Sequence, residues 1–230
     1  TAGTMPAGAT LLALKLDRLE ARPPGFRPAA ARREFHVSRS CRSRCQFNQA
    51  LFSLSGNVVL ADYQAVRIFA QNLVGYPRFM AVGPDNALYI SLYNSGQIAR
   101  LPDRNRDGLS DATEIVASGL ANPHGLEWRS GWLYVAQAGK VERLQDANAD
   151  GSLETRELVT DNIPGPGGHT SRTLHFGPDG LLYVAAGSSC NVCVESDPRR
   201  AAILRFNPDG SIPADNPFAS DADVRKRPVW

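Results

Sequence analysis

Gly177-Pro178-Asp179-Gly180-Leu181-Leu182-Tyr183-Val184-Ala185 reads as a tight turn leading into a half-buried strand. Proline presets φ at the first corner, aspartate bonds its own backbone two residues on, and glycine accepts a positive φ without steric cost. The Leu-Tyr-Val run that follows suits a pleated, half-buried frame. The same reading applies at Gly83-Pro84-Asp85-Asn86-Ala87-Leu88-Tyr89-Ile90-Ser91 and, with a shorter turn, at Gly131-Trp132-Leu133-Tyr134-Val135-Ala136. The Leu-Tyr pairs fall 45 and 49 residues apart, a period typical of β-propeller blades.

Further strand candidates flank each turn. Phe79–Val82, Gly125–Trp128 and Thr173–Phe176 come before it, and Gly96–Leu101, Gly139–Leu144 and Ala201–Phe206 after it. Outer strands follow at Glu114–Ala117 and Glu157–Thr160. This predicts an all-β fold, a β-propeller of about three four-stranded blades between Val66 and Phe206. Closed propellers use roughly four to eight blades. Three leave edges open, and Arg227-Pro228-Val229-Trp230 reads as mid-domain. The expected division is a partial propeller over residues 66–230 and an irregular N-terminal arm or insertion over 1–65. In that arm Leu12, Leu16 and Leu19 have helical spacing, which Pro23-Pro24 ends.

The chain has 230 residues, 43% hydrophobic and 21% charged, which excludes wholesale disorder. No apolar run is long enough for a transmembrane segment. A net charge of only +2 argues against a dedicated nucleic-acid binder. Between Asp17 and Cys45 eight Arg face three acids, read as a solvated segment, with contact to phosphate or an anionic membrane as the alternative. The sequence holds no G-x-S-x-G elbow, no H-E-x-x-H, no P-loop and no G-x-G-x-x-G.

Two loops carry one acidic pattern. Asp103, Asn105, Asp107 and Asp111 form D-x-N-x-D-G-x-x-D, and Asp146, Asn148, Asp150 and Glu154 form D-x-N-x-D-G-x-x-E. Alternate oxygens on a glycine-bent loop suit Ca²⁺, with Glu114 and Glu157 standing at the twelfth position. The alternative is a pair of hairpins whose carboxylates cap backbone N–H groups. Four cysteines, Cys41 with Cys45 and Cys190 with Cys193, allow either local disulfides in an oxidising compartment or one shared zinc site.

Polar groups precede the first strand of each repeat: Tyr76-Pro77-Arg78, Asn122-Pro123-His124, and Gly168-His169-Thr170-Ser171-Arg172. Innermost strands of a propeller line its channel, so these heads converge at one end. Arg78, His124, His169 and Arg172 would then meet. Histidine serves as a base near neutral pH, and arginine offers a fork to a carboxylate-bearing ligand.

The run from Gly168-His169-Thr170-Ser171-Arg172 through Gly187-Ser188-Ser189-Cys190-Asn191-Val192-Cys193, with Pro77-Arg78-Phe79 and Asn122-Pro123-His124-Gly125-Leu126, resembles the sorbosone dehydrogenase and soluble glucose dehydrogenase family. The resemblance spans about Val66 to Trp230 and implies a six-bladed propeller that uses pyrroloquinoline quinone (PQQ) and Ca²⁺ to oxidise sugars. It implies that His169 is the catalytic base, that Arg172, His124 and Arg78 shape the cofactor pocket, and that Cys190 and Cys193 form a disulfide. It further implies a small sugar substrate, a quinone or cytochrome as electron acceptor, and a periplasmic or secreted location. In that family an Arg-Asn pair on the quinone and the carbonyl ligands of its Ca²⁺ follow a segment like Arg227-Pro228-Val229-Trp230. The chain therefore reads as an N-terminal half not expected to turn over alone, with residues 28–65 as an insertion. Two other classes stand beside it: a non-catalytic binding or scaffold propeller, and a lactonase-like hydrolase, which would need channel carboxylates where the repeat heads carry Arg and His.

Overall fold

The turn chemistry is realised in the computed structural model, which describes residues 68–230. In the first and third repeats one Asp carboxylate does two jobs. Asp85 Oδ1 accepts the Ala87 N–H at 3.2 Å and Asp179 Oδ1 accepts the Leu181 N–H at 3.1 Å, while their Oδ2 atoms accept the Tyr89 and Tyr183 hydroxyls. The middle repeat lacks the aspartate and turns instead through Ser130 and Gly131, at φ +49° and +81°.

Eleven strands result among the described residues: β1 Pro77–Val82, β2 Leu88–Leu92, β3 Gln97–Leu101, β4 Glu114–Ala117, β5 Leu126–Arg129, β6 Trp132–Gln137, β7 Lys140–Gln145, β8 Thr155–Thr160, β9 Arg172–Phe176, β10 Leu182–Ala186 and β11 Ala202–Phe206. They form antiparallel meanders in the orders β1-β2-β3-β4, β5-β6-β7-β8 and β9-β10-β11. The predicted all-β propeller architecture is borne out. The third blade departs from four full strands: its outer position is held by a bridge from Leu204 to Val229, with the Arg205 N–H on Pro228 O at 2.7 Å and the Trp230 N–H on Ile203 O at 2.9 Å. The arm of residues 1–65, its helical stretch, the boundary at Val66, and Cys41 with Cys45 lie outside the described residues.

Side chains of neighbouring blades interlock. Tyr89, Ile98 and Val116 of the first blade pack with Leu126, Leu133 and Leu144 of the second. Tyr134 and Val141 of the second pack with Leu174, Phe176, Leu182 and Phe206 of the third. Tyr89 stands edge-on to Trp128 at 5.1 Å, and Tyr134 edge-on to Phe176 at 4.9 Å.

The innermost strands touch: the Gly125 N–H donates to Arg172 O at 2.9 Å, and a Cβ on Gly125 would lie 2.6 Å from the Leu174 nitrogen. The first and second blades also each receive a piece of the next. The Leu153 N–H from the second blade's outer loop donates to Val116 O of the first at 2.7 Å. Gly210, in the turn after β11, sits so close to Val159 of the second blade that an added Cβ would lie 1.7 Å from its carbonyl oxygen.

Candidate active site at the blade heads

The meander fixes which loops meet. With β1, β5 and β9 innermost and running the same way, their N-terminal heads share one end of the propeller. The second-to-third-strand connections return to that end, whereas the third-to-fourth-strand connections lie at the opposite one.

At the shared end Arg78 is exposed and stacks on the rings of Tyr76 at 4.4 Å and Tyr93 at 5.6 Å. The Tyr93 hydroxyl bonds Thr170 Oγ1, and the Asn122 amide donates to Tyr93 O at 3.5 Å. Tyr76 and Asn122 each precede a proline and each hold a positive φ, +64° and +49°. For a bulky tyrosine that conformation is strained, a pattern concentrated at functional sites.

His124 is half-buried, with its ring 5.7 Å from that of Phe79. Burial lowers its pKa from the ordinary 6.5, and the Arg78 charge lowers it further, while a hydrogen bond to the Arg172 backbone opposes both. Its Nδ1 is buried without a hydrogen-bond partner among the described residues. His124 therefore stays neutral at pH 7. Its carbonyl accepts the hydroxyl of the fully buried Ser91 at 2.8 Å, which locks the second blade's head to the first blade.

His169 is exposed at this same end. Arg172 is not: its side chain is fully buried. Its Nη1 donates to His169 O at 2.8 Å and Ser171 O at 3.0 Å, and its Nη2 to Pro164 O and Gly165 O, both at 3.0 Å. The guanidinium expected in the cofactor pocket is thus turned inward, where it gathers the carbonyls of Pro164, Gly165, His169 and Ser171. What it lends the site is the placement of His169. Arg200 adds a donation to Gly165 O at 3.2 Å.

Arg78, His124 and His169 thus come to one end, with Arg172 beneath them. Tyr76, Tyr93 and Thr170 complete the cluster; Tyr76 and Thr170 stand in the quoted blade heads, and Tyr93 is the member the sequence reading misses. The X-Pro pair before the first strand marks Tyr76 and Asn122 but gives no signal for Tyr93.

Both acidic loops are third-to-fourth-strand connections, so the fold sets them at the far end. In the first, Asp103 Oδ2 accepts the Gly108 N–H at 3.2 Å and Asn105 Oδ1 the Asp107 N–H at 3.0 Å. Asp111 Oδ2 accepts the Arg104 N–H at 2.5 Å. In the second, Asp146 Oδ2 accepts the Gly151 N–H at 2.9 Å, Asn148 Oδ1 the Asp150 N–H at 2.9 Å, and Glu154 the Ala147 N–H at 3.0 Å. The twelfth-position acids are already paired, Glu114 with Arg100 and Arg104, and Glu157 with Arg143. Only the second loop brings three carboxylates, Asp146, Asp150 and Glu154, within 4.8 Å of one another. Its donors fit a Ca²⁺ ion, and those of the first loop fit it less well.

Cys190 and Cys193 form the expected disulfide, in the β10–β11 connection at the His169 end. Among the described residues no helix is long and apolar enough to cross a membrane.

These features define an all-β propeller segment with a histidine- and arginine-bearing site at its blade heads. The chain belongs to the family described as domain of unknown function DUF7133, which matches residues 67–217. No curated protein matches it. Solved structures share its fold. The PQQ-bound aldose sugar dehydrogenase of Streptomyces coelicolor aligns with a TM-score of 0.53 at 22% identity, over 73% of this chain and 53% of that one. An oxidoreductase assigned as a glucose dehydrogenase from Thermus thermophilus aligns with a TM-score of 0.52 at 26% identity, over 68% and 52%. The PQQ domain of pyranose dehydrogenase from Coprinopsis cinerea aligns with a TM-score of 0.50 at 18% identity, over 61% and 35%. The resemblance to soluble glucose and aldose sugar dehydrogenases is borne out, with the shared fold as its measure. The chain spans about half the length of these structures, or less.

Proposed function

We propose that this chain supplies the His169-bearing part of a PQQ-dependent sugar dehydrogenase. The observation that carries the reading is the meeting of Arg78, His124 and exposed His169 at one propeller end. The groups present fit an anionic quinone. Arg78 has only aromatic partners among the described residues, and His124 Nδ1 has none. Tyr76 and Tyr93 offer flat faces. When bound, PQQ supplies the acceptor for the hydride of a sugar C–H bond.

The chain's own residues do the rest. His169, exposed, takes the sugar hydroxyl proton as general base. Arg172 holds the His169 carbonyl, and so its backbone, at the mouth. Neutral His124 donates or accepts a hydrogen bond without adding a second positive charge beside Arg78. A sugar donor, a quinone or cytochrome acceptor, and a periplasmic or secreted location with an oxidised Cys190–Cys193 belong to the same reading. So does Ca²⁺ on Asp146, Asp150 and Glu154, in a structural role at the far end. Turnover requires more blades than these three.

The test is PQQ binding followed by absorbance, with a dye-linked aldose assay, on this chain and on a longer form extended past Trp230. Activity in the longer form alone, lost in His169→Ala, is the expected result. A stable fold with no PQQ binding in either form would instead make this a binding propeller and His169 a structural residue.

A further inference from the structure

Two glycine-bearing segments cross beneath His169 with no slack. The Gly168 N–H donates to Ser189 O at 3.0 Å and the His169 N–H to Ser188 O at 3.1 Å. A Cβ on Gly168 would lie 2.4 Å from Ser189 O, and one on Gly187 would lie 2.6 Å from the His169 Cβ. The His169 backbone can therefore be no better placed than Ser188 and Ser189 are.

Those two residues open the long connection from β10 to β11, which contains no strand. Left to itself, such a segment opens readily. Here Glu195 ties it down. One carboxylate oxygen accepts the Ser188 hydroxyl at 2.7 Å and the Ser189 N–H at 2.5 Å, and the other accepts the Ser189 hydroxyl at 2.9 Å. These bonds lower the carboxyl's pKa, so it is charged near neutrality. The Cys190–Cys193 disulfide closes the chain between the two sides of this clasp, and Cys193 Sγ lies 3.7 Å from the same carboxylate. Between the sulfurs Asn191 and Val192 are exposed.

We propose that Glu195 and the Cys190–Cys193 disulfide are positioning groups that clamp the backbone of His169. The disulfide turns the chain back so that Glu195 meets Ser188 and Ser189, whose carbonyls hold Gly168 and His169. The clamp is redox-sensitive. A dithiol reductant passes two electrons to the S–S bond, each sulfur gains a proton, and the reductant closes its own disulfide. The importance of the clamp for catalysis rests on His169 as the base, but its existence does not.

Amide hydrogen exchange on the full 230-residue chain tests it. Three states are compared with the oxidised protein: dithiothreitol-treated chain, Glu195→Ala, and the double variant Cys190→Ala, Cys193→Ala, which isolates this disulfide from Cys41 and Cys45. The Gly168 and His169 amides are expected to exchange at least about tenfold faster in each, while the β9–β10 ladder keeps its protection. Unchanged exchange at Gly168 and His169 would overturn the proposal. Equal loss across β9 and β10 would overturn it too, because the loop would then be supporting the fold rather than His169. Selective release, together with sugar oxidation that survives His169→Ala in the longer form, would leave the clamp standing and remove the catalytic reading.

Discussion

Asp85 and Asp179 explain why one short motif carries so much of the fold. Each binds a turn amide with one oxygen and a strand tyrosine with the other, and Arg100 joins Asp85 at 2.6 Å. Burial, with the Asp85 charge, pushes the Tyr89 hydroxyl up to about 12. The glycine ahead of each turn is required by that tyrosine ring: a Cβ on Gly83 would lie 2.3 Å from Tyr89 Cε2, and one on Gly177 would lie 2.7 Å from Tyr183 Cε2. Gly177→Ala is expected to cost about 1–3 kcal/mol by overpacking, measured as a lower urea midpoint. Arg172→Lys is expected to destabilise on the order of 3 kcal/mol, because an ammonium cannot reach four carbonyls in a planar fork. The same assay reads it. In a longer, active form the lysine variant would also lower kcat by releasing His169.

At the scale of elements, the head of the second blade is held by one buried hydroxyl and one neutral imidazole. Ser91→Ala leaves the His124 carbonyl unpaired and is expected to cost about 1–3 kcal/mol. The pH dependence follows from His124, whose folded pKa lies below the ordinary 6.5. The unfolded chain then binds the proton more tightly. Stability from the neutral ring is complete above about pH 6.5 and is lost as pH falls through the folded value. Urea midpoints measured from pH 7.5 to 5 are expected to fall, and His124→Gln to flatten the slope. The second acidic loop gives another prediction: Ca²⁺ raises the melting temperature, and Asp150→Asn abolishes that rise while Asp107→Asn leaves it.

These elements also mark what could be read from sequence. The strands were legible because turn and strand signals are local and recur with a fixed period. The ends carrying Arg78, His124 and His169 were legible because repeats bring equivalent positions together. The inward turn of Arg172 was not, since its four acceptors are backbone carbonyls that no residue type announces. Nor was the Tyr76–Arg78–Tyr93 stack, which joins one blade's head to its own second-to-third-strand connection. The Glu195 clasp was equally hidden, because it depends on how a strandless loop folds back.

For the molecule as a whole, three blades meet face to face; Phe69, Ala70 and Leu73 cover Ile90, Leu92, Ala99 and Leu101 of the first, and apolar side chains stay exposed on its innermost strand and on the third blade. Met80 and Val82 are exposed on the first, Ile203 and Trp230 on the third. Arg205 covers part of the Trp230 ring at 3.6 Å, and Asn216, buried, donates to the carbonyls of Arg205 and Arg227 at 3.1 and 3.0 Å. Alone in solution the chain is expected to bind a hydrophobic dye and to associate as concentration rises, which sedimentation would show. A longer form that covers these faces would lose both behaviours.

The outer strands of the first two blades are each finished by the blade that follows: Leu153 completes the first at Val116, and the Gly210 turn closes on the second at Val159. On a ribosome this imposes an order. A blade leaving the exit tunnel stays unfinished until the next has followed it, so folding runs about one repeat, some 45 residues, behind synthesis. A pause placed just after β8 would hold the second blade open until the Gly210 turn has left the tunnel.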